Sequence, residues 1–215
     1  MIITLWSFAS EGYAHSVRHR DTQGVGDRTW FVENRGQWRE PFLYRAQMRG
    51  AALFAEEGCL TFVVREPAHQ GDDHTFHHHT GTRTHAYRVH FEGASPSARV
   101  EGRDIDPFSG YDNYFYGHDP TQWVAHLPHH LTVYYRNLYP GIDMDVRVAD
   151  HALKSNFYLQ PVASPSAIAL RYEGADRLFL SGGNLIIATS VGDIVEMHPY
   201  AYQETAKGRR EVEVR

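Results

Sequence analysis

The sequence predicts an all-β fold, an antiparallel β-sandwich of short strands, and three observations carry that expectation. Thirteen Tyr and eleven Phe in 215 residues suit half-buried pleated surfaces better than helices. No segment holds an apolar period of 3.6 over roughly eleven residues. A hairpin vocabulary also recurs. In LFAEEGCLTF (Leu53 to Phe62) and LFLSGGNLII (Leu178 to Ile187), the residues Leu53, Phe54, Gly58, Leu60 and Phe62 answer Leu178, Phe179, Gly183, Leu185 and Ile187 at one constant offset. VHFEGA (Val89 to Ala94) and LRYEGA (Leu170 to Ala175) form a second pair. The repeat suggests two similar packed β sub-units, 29–103 and 104–203, within one sandwich-type domain spanning 29–203.

The elements follow in order. Residues 1–28 read as a degraded or truncated export-signal segment followed by a linker. The apolar run Ile2 to Ala9 leads into small residues without a basic start, and a short first strand is its competing reading. Thr29 to Trp38 (TWFVENRGQW) is a short apolar strand meeting an Asn-Arg-Gly turn. Three strands come next, with Phe42, Tyr44 and Ala46 alternating against polar or long residues and with turns at Arg49-Gly50 and Glu57-Gly58. Residues 66–83 are nearly devoid of apolar side chains and read as an exposed loop. His85 to Ala94 is a strand, with Tyr87, Val89 and Phe91 opposite to Ala86, Arg88 and His90. The stretch from Ser95 to Gly110 reads as turn-rich, and Tyr111 to Trp123 as an irregular aromatic-polar segment.

Two strands then join at Tyr139-Pro140-Gly141, where Pro and Gly stand in favourable turn order. Period two turns Ile142, Met144 and Val146 toward the core and Asp143 and Asp145 to the other face. KSNFYLQPV (Lys154 to Val162) is a further strand. A meander with turns at Gly174, Gly182-Gly183 and Gly192 leads to residues 204–215, a C-terminal edge strand or the start of a downstream region.

Composition narrows the function classes. Apolar residues make up 42% of the chain, enough for a core. A net charge of −5 argues against a dedicated nucleic-acid binder. No apolar run approaches the roughly 18 residues of a membrane-spanning segment. The single Cys59 sits in a strand-like run, where a buried inert thiol is expected, and low Cys usage is compatible with export.

Few residues suggest chemistry. Asp72, Asp73, His74, His77, His78 and His79 are crowded together, and His77 and His79 would share one face of an extended segment. Imidazole and carboxylate ligate zinc, nickel or copper. The expected behaviour is weak zinc or nickel binding through His74, His77 and His79, as in a solvated polar loop, with no dedicated cofactor. Asp143 and Asp145 share one strand face about 7 Å apart, a spacing open to calcium, to glycoside hydrolysis or to a purely structural use. Asp104 and Asp106 repeat that spacing. Tyr111, Tyr114, Tyr116 and Trp123 could stack on sugar rings or pack in a core. No nucleophile elbow, phosphate loop, dinucleotide fingerprint, CxxC or HExxH occurs.

WFVENRGQW, YDNYFYGHDPTQW, VYYRNLYPGIDMDV, ALRYEGADRLFL and GNLIIATSVGDIVEMHPYAYQE follow one another between Thr29 and Gln203. In that order they resemble the uncharacterised N-terminal domain of bacterial surface proteins that carry seven-bladed β-propeller (SBBP) repeats. One departure is the turn after Asn156-Phe157-Tyr158, which here reads Gln160 to Pro165 instead of a Pro-Gly-Ala-Asp-like sequence. The resemblance implies an extracellular or cell-surface β-rich module and supplies no catalytic residue. The expected function is therefore non-catalytic, in adhesion, ligand display or structure, with surface glycans or other envelope proteins as partners. A carbohydrate-binding module is the first alternative, and a glycoside hydrolase-like enzyme the second. An aromatic platform or groove on one sheet face would mark the first, and a pocket of converging carboxylates the second.

Overall fold

The computed structural model describes residues 1–9, 29–66, 82–149 and 152–214. The expected His74, His77 and His79 ligands, and the linker at 10–28, lie outside them. The described residues form eighteen strands: β1 (Ile2–Ala9), β2 (Phe31–Glu33), β3 (Tyr44–Met48), β4 (Ala51–Ala55), β5 (Cys59–Arg65), β6 (Thr84–Phe91), β7 (Arg99–Ile105), β8 (Tyr111–Tyr114), β9 (Val124–Pro128), β10 (His130–Tyr139), β11 (Ile142–Ala149), β12 (Ala152–Leu159), β13 (Leu170–Glu173), β14 (Arg177–Ser181), β15 (Asn184–Ala188), β16 (Ile194–Glu196), β17 (Tyr200–Thr205) and β18 (Gly208–Val212). Among these residues there is no α-helix, only single 3-10 turns at Pro120–Gln122 and Pro165–Ala167. The all-β expectation holds, and the sheets do not close into a barrel.

Sixteen strands share one antiparallel sheet, ordered β13-β6-β5-β4-β3-β2-β10-β11-β12-β1-β16-β15-β14, with β7 beside β10 and the β17–β18 hairpin beside β1. β8 and β9 form a separate two-stranded ribbon. The sheet turns back on itself so that its two halves face each other. Leu60, Phe62, Val89 and Phe91 from one half, and Met144, Leu153 and Phe157 from the other, border a cavity of about 30 Å³. One buried cluster draws on both halves, from Phe31 and Leu53 to Val146 and Ile194. Tyrosine hydroxyls tie the layers: Tyr135 donates to the Glu56 carbonyl at 3.0 Å, Tyr139 to the Ala169 carbonyl at 3.0 Å, and Tyr172 to the Glu196 carboxylate at 2.8 Å.

Several local expectations are met. Period two buries Tyr87, Val89 and Phe91 on β6, and Ile142, Met144 and Val146 on β11. Both LF segments are hairpins with one register: Ala55 faces Leu60 as Leu180 faces Leu185, and Leu53 faces Phe62 as Leu178 faces Ile187. Their surroundings differ, because Leu53 is 0% exposed inside the core while Leu178 on the edge strand β14 is 40% exposed. The VHFEGA and LRYEGA strands pair with each other, Val89 facing Tyr172.

Other expectations are corrected. The apolar run at residues 2–9 takes the competing reading: it is β1, paired with β12 on one side and with β16 and β17 on the other. Residues 99–105, expected to be turn-rich, form β7, which spans the 103/104 sub-unit boundary. None of its seven residues is fully buried, and only Val100 and Ile105 are large and apolar, so its apolar signal is weak. It forms because β10 has an edge to complete.

Candidate recognition groove

The outer face of β2 to β6 carries a row of directly opposed residues: Val32, Arg45, Phe54, Thr61 and Arg88. This is the parity that period two directs away from the core, so the row lies in the open unless something covers it. Two features flank it. The loop from Asn34 to Phe42 lays Trp38 over the sheet, and the β8–β9 ribbon stands alongside with Asp112 and Tyr114. Two clefts open beside the Trp38 loop, and the ribbon borders the first of them. One, of about 350 Å³, is bordered by Trp30, Trp38, Arg45, Gln47, Asp112 and Tyr114. The other, of about 400 Å³, is bordered by Trp38, Glu40, Phe54, Glu56, Thr61 and Arg88 among others. Trp38 and Arg45 border both, which makes one groove of the two. Each part falls in the size range of small-molecule sites, about 300–1,000 Å³.

The turn that holds Trp38 is written in the Asn-Arg-Gly-Gln sequence. Asn34 Nδ2 donates to the carbonyls of Glu40 and Phe42, both at 3.0 Å, and its Oδ1 accepts the Gly36 N–H at 3.0 Å. Gln37 Nε2 donates to the Glu33 carbonyl at 2.6 Å, and its Oε1 accepts the Arg35 N–H at 2.7 Å. With the loop fixed at both ends, the Trp38 indole meets Tyr114 edge-on at 4.9 Å and Phe42 at 5.3 Å. The Arg45 guanidinium lies 5.6 Å from the Trp38 ring centroid and 5.8 Å from that of Phe54, a cation held between two aromatic rings. Its Nη2 donates to Gln47 at 2.9 Å, and its Nε has no protein partner.

The ribbon side is equally fixed. Tyr114 donates to Asp112 at 3.1 Å, and burial followed by the Asp112 carboxylate pushes its hydroxyl up to about 12. Asp112 also lies 3.1 Å from His129 Nε2, at an angle too poor for a hydrogen bond. His129 is 3% exposed and stacks on Trp30 at 4.2 Å, 13° from parallel.

The sequence-derived candidates fall elsewhere. Asp143 accepts the Tyr134 hydroxyl at 2.7 Å and the Asn137 N–H at 2.6 Å. Asn137 has φ +52 where β10 shifts register, so Asp143 clamps a β-bulge. Asp145 does face away from the core, but it is 3% exposed on that face. It accepts Arg147 Nη2, Asn156 Nδ2 and the Tyr158 hydroxyl, each at 2.6 Å, and Thr4 donates to Asn156 at 2.9 Å. Asp104 accepts Thr132 at 2.8 Å, and Asp106, 2% exposed, accepts the Phe108 N–H at 3.0 Å. Both members of the Asp143–Asp145 pair thus hold strands together. Among the described residues no three His, Cys, Asp or Glu side chains gather as a metal site would require.

Of the four aromatics considered for stacking, Tyr114 borders the groove. Tyr111, Tyr116 and Trp123 lie exposed along the ribbon and its turn. Cys59 is buried, and desolvation together with Glu56 pushes its thiol up to about 11, the inert state expected for it. The sequence reading assigns no functional role to Trp30, Trp38, Arg45, Phe54 or Arg88. Their one local signal is parity: Arg45, Phe54 and Arg88 occupy the positions of their strands that alternate with the core.

A family model described as a domain of unknown function (DUF7948) matches residues 31–215. No curated protein and no solved structure is matched.

Proposed function

We propose that this chain, which belongs to the DUF7948 family, is a non-catalytic recognition module of an exported bacterial protein, acting at the cell surface or in the extracellular space. The observation that carries this reading is the groove across Trp38 and Arg45, an open concave site built on strands and pinned by backbone-directed side chains. A site of that kind suits binding, since the scaffold has already met the ordering cost. The extracellular setting draws on the resemblance to N-terminal domains of SBBP-repeat surface proteins and on the single buried cysteine.

The groove residues Gln47 and Arg88 are exposed, so the double variant Gln47→Ala with Arg88→Glu should fold. Co-sedimentation with purified bacterial envelope material should retain the parent chain and lose the double variant, while Arg209→Ala, on the distant β18, behaves as the parent. Equal retention of all three, or retention of none, overturns the reading. Release of soluble fragments from the envelope material would also overturn it, by showing catalysis.

A further inference from the structure

The chemistry of the groove lining defines a ligand class, and this step rests on the recognition reading above. Four partly exposed rings, Trp30, Trp38, Phe54 and Tyr114, border the groove. Interspersed with them are the donors Arg45, Gln47 and Arg88 and the acceptors Glu40, Glu56, Asp112 and Thr61. Flat apolar faces beside hydrogen-bonding groups of both kinds match a ligand that is apolar on one face and ringed by hydroxyls at its edge.

Charge narrows the class further. Two arginines stand against three carboxylates, so the lining offers no concentrated field of either sign to a phosphate or a polyanion. Two of the three carboxylates already have partners that fix them: Glu56 accepts Thr61 at 2.7 Å and Asp112 accepts Tyr114 at 3.1 Å, which leaves their remaining lone pairs for hydroxyl donors. Arg45 sits where the two clefts meet, its Nη2 on Gln47. Two joined clefts on one flat row suit a linear ligand better than a single small ring.

We propose that the groove binds a short, uncharged oligosaccharide, its sugar faces against Trp38 and Tyr114 and its hydroxyls on Arg45, Gln47, Asp112 and Glu56. Cellohexaose, laminarihexaose, xylohexaose, mannohexaose and chitohexaose are the probes, with polygalacturonate and polyphosphate as charged controls, measured by calorimetry and tryptophan fluorescence. At least one neutral probe should bind and change the fluorescence. Its affinity should hold between about 0.1 M and about 1 M salt, because no net charge is exchanged. Trp38→Ala should weaken it by about tenfold or more, and Gln47→Ala and Arg88→Ala, at exposed positions, by severalfold. Two results overturn the assignment: no neutral probe bound while groove-dependent envelope retention persists, and salt-sensitive binding of the charged controls in preference to the neutral ones. The first leaves the recognition reading standing. Loss of groove-dependent retention removes both.

Discussion

Asp145 shows how a residue chosen for chemistry becomes a residue of the frame. Period two assigns it to the face opposite Met144, and that assignment is right. Exposure does not follow from it, because Arg147, Asn156 and Tyr158 close over the carboxylate with three donors. Asp145→Asn replaces an acceptor oxygen by an amide that must face a donor. It should lower unfolding free energy by about 1.5–3 kcal/mol in urea titration, the range for hydrogen bonds to charged groups. Millimolar calcium should leave the melting temperature of the parent unchanged, and a rise would return the pair to the list of ligand sites. Gly141 is the other decisive position. It holds φ +72, and an added Cβ would meet Ala163 Cβ at 3.2 Å. Gly141→Val should therefore cost about 1–3 kcal/mol, measured the same way. The turn was legible in Tyr139-Pro140-Gly141 because Pro and Gly act locally. The closure over Asp145 was not, because two of its three donors, Asn156 and Tyr158, come from a strand eleven or more residues away along the chain.

At the scale of elements, hairpins were read best. The two LF segments share a register because each closes over two residues, Glu57-Gly58 and Gly182-Gly183, although Gly183 holds φ +83 and Gly58 lies outside the positive-φ region. What a hairpin packs against is not local, so Leu53 and Leu178 differ in burial although their strands match. β7 was missed for the same reason: RVEGRDI carries little apolar signal, and its order comes from β10. The groove was half legible. Its floor follows from parity along β3, β4, β5 and β6, but its rim depends on a loop whose role shows only through side-chain bonds to the backbone. Asn34→Ala removes the ties to Glu40 and Phe42 and should cost about 1–2 kcal/mol. Hydrogen exchange should rise across residues 34–42 while the β10–β12 amides keep their protection. Acrylamide should quench the tryptophans more strongly. Unchanged exchange in the loop would mean that ring packing on Trp38, rather than Asn34, holds the rim.

Across the whole molecule, the sandwich depends on a few polar ties between layers that are otherwise apolar. Glu196 on β16 is the most exposed to pH. Its carboxylate borders the cavity between the layers and accepts Tyr172 at 2.8 Å and Ser7 at 3.4 Å. Burial raises its pKa above the ordinary glutamate value, and the hydrogen bonds from Tyr172 and Ser7 offset part of that rise. The folded state therefore holds this proton more tightly than the unfolded chain. Stability from the protonated form is complete below the unfolded value, about 4.3, and is lost as pH rises through the folded value. Glu196→Gln keeps a neutral group at every pH and can still accept from Tyr172. In urea titrations from about pH 4 to about pH 8, the variant should match the parent at the acid end and become the more stable of the two as pH rises. Other carboxylates titrate in both proteins and cancel in the difference. A difference that is flat with pH, or a parent more stable at neutral pH, would show that Glu196 is as well solvated in the fold as in the open chain. In that case the inter-layer cavity admits water freely and the tie from Tyr172 to Glu196 adds little to the packing of β13 on β16.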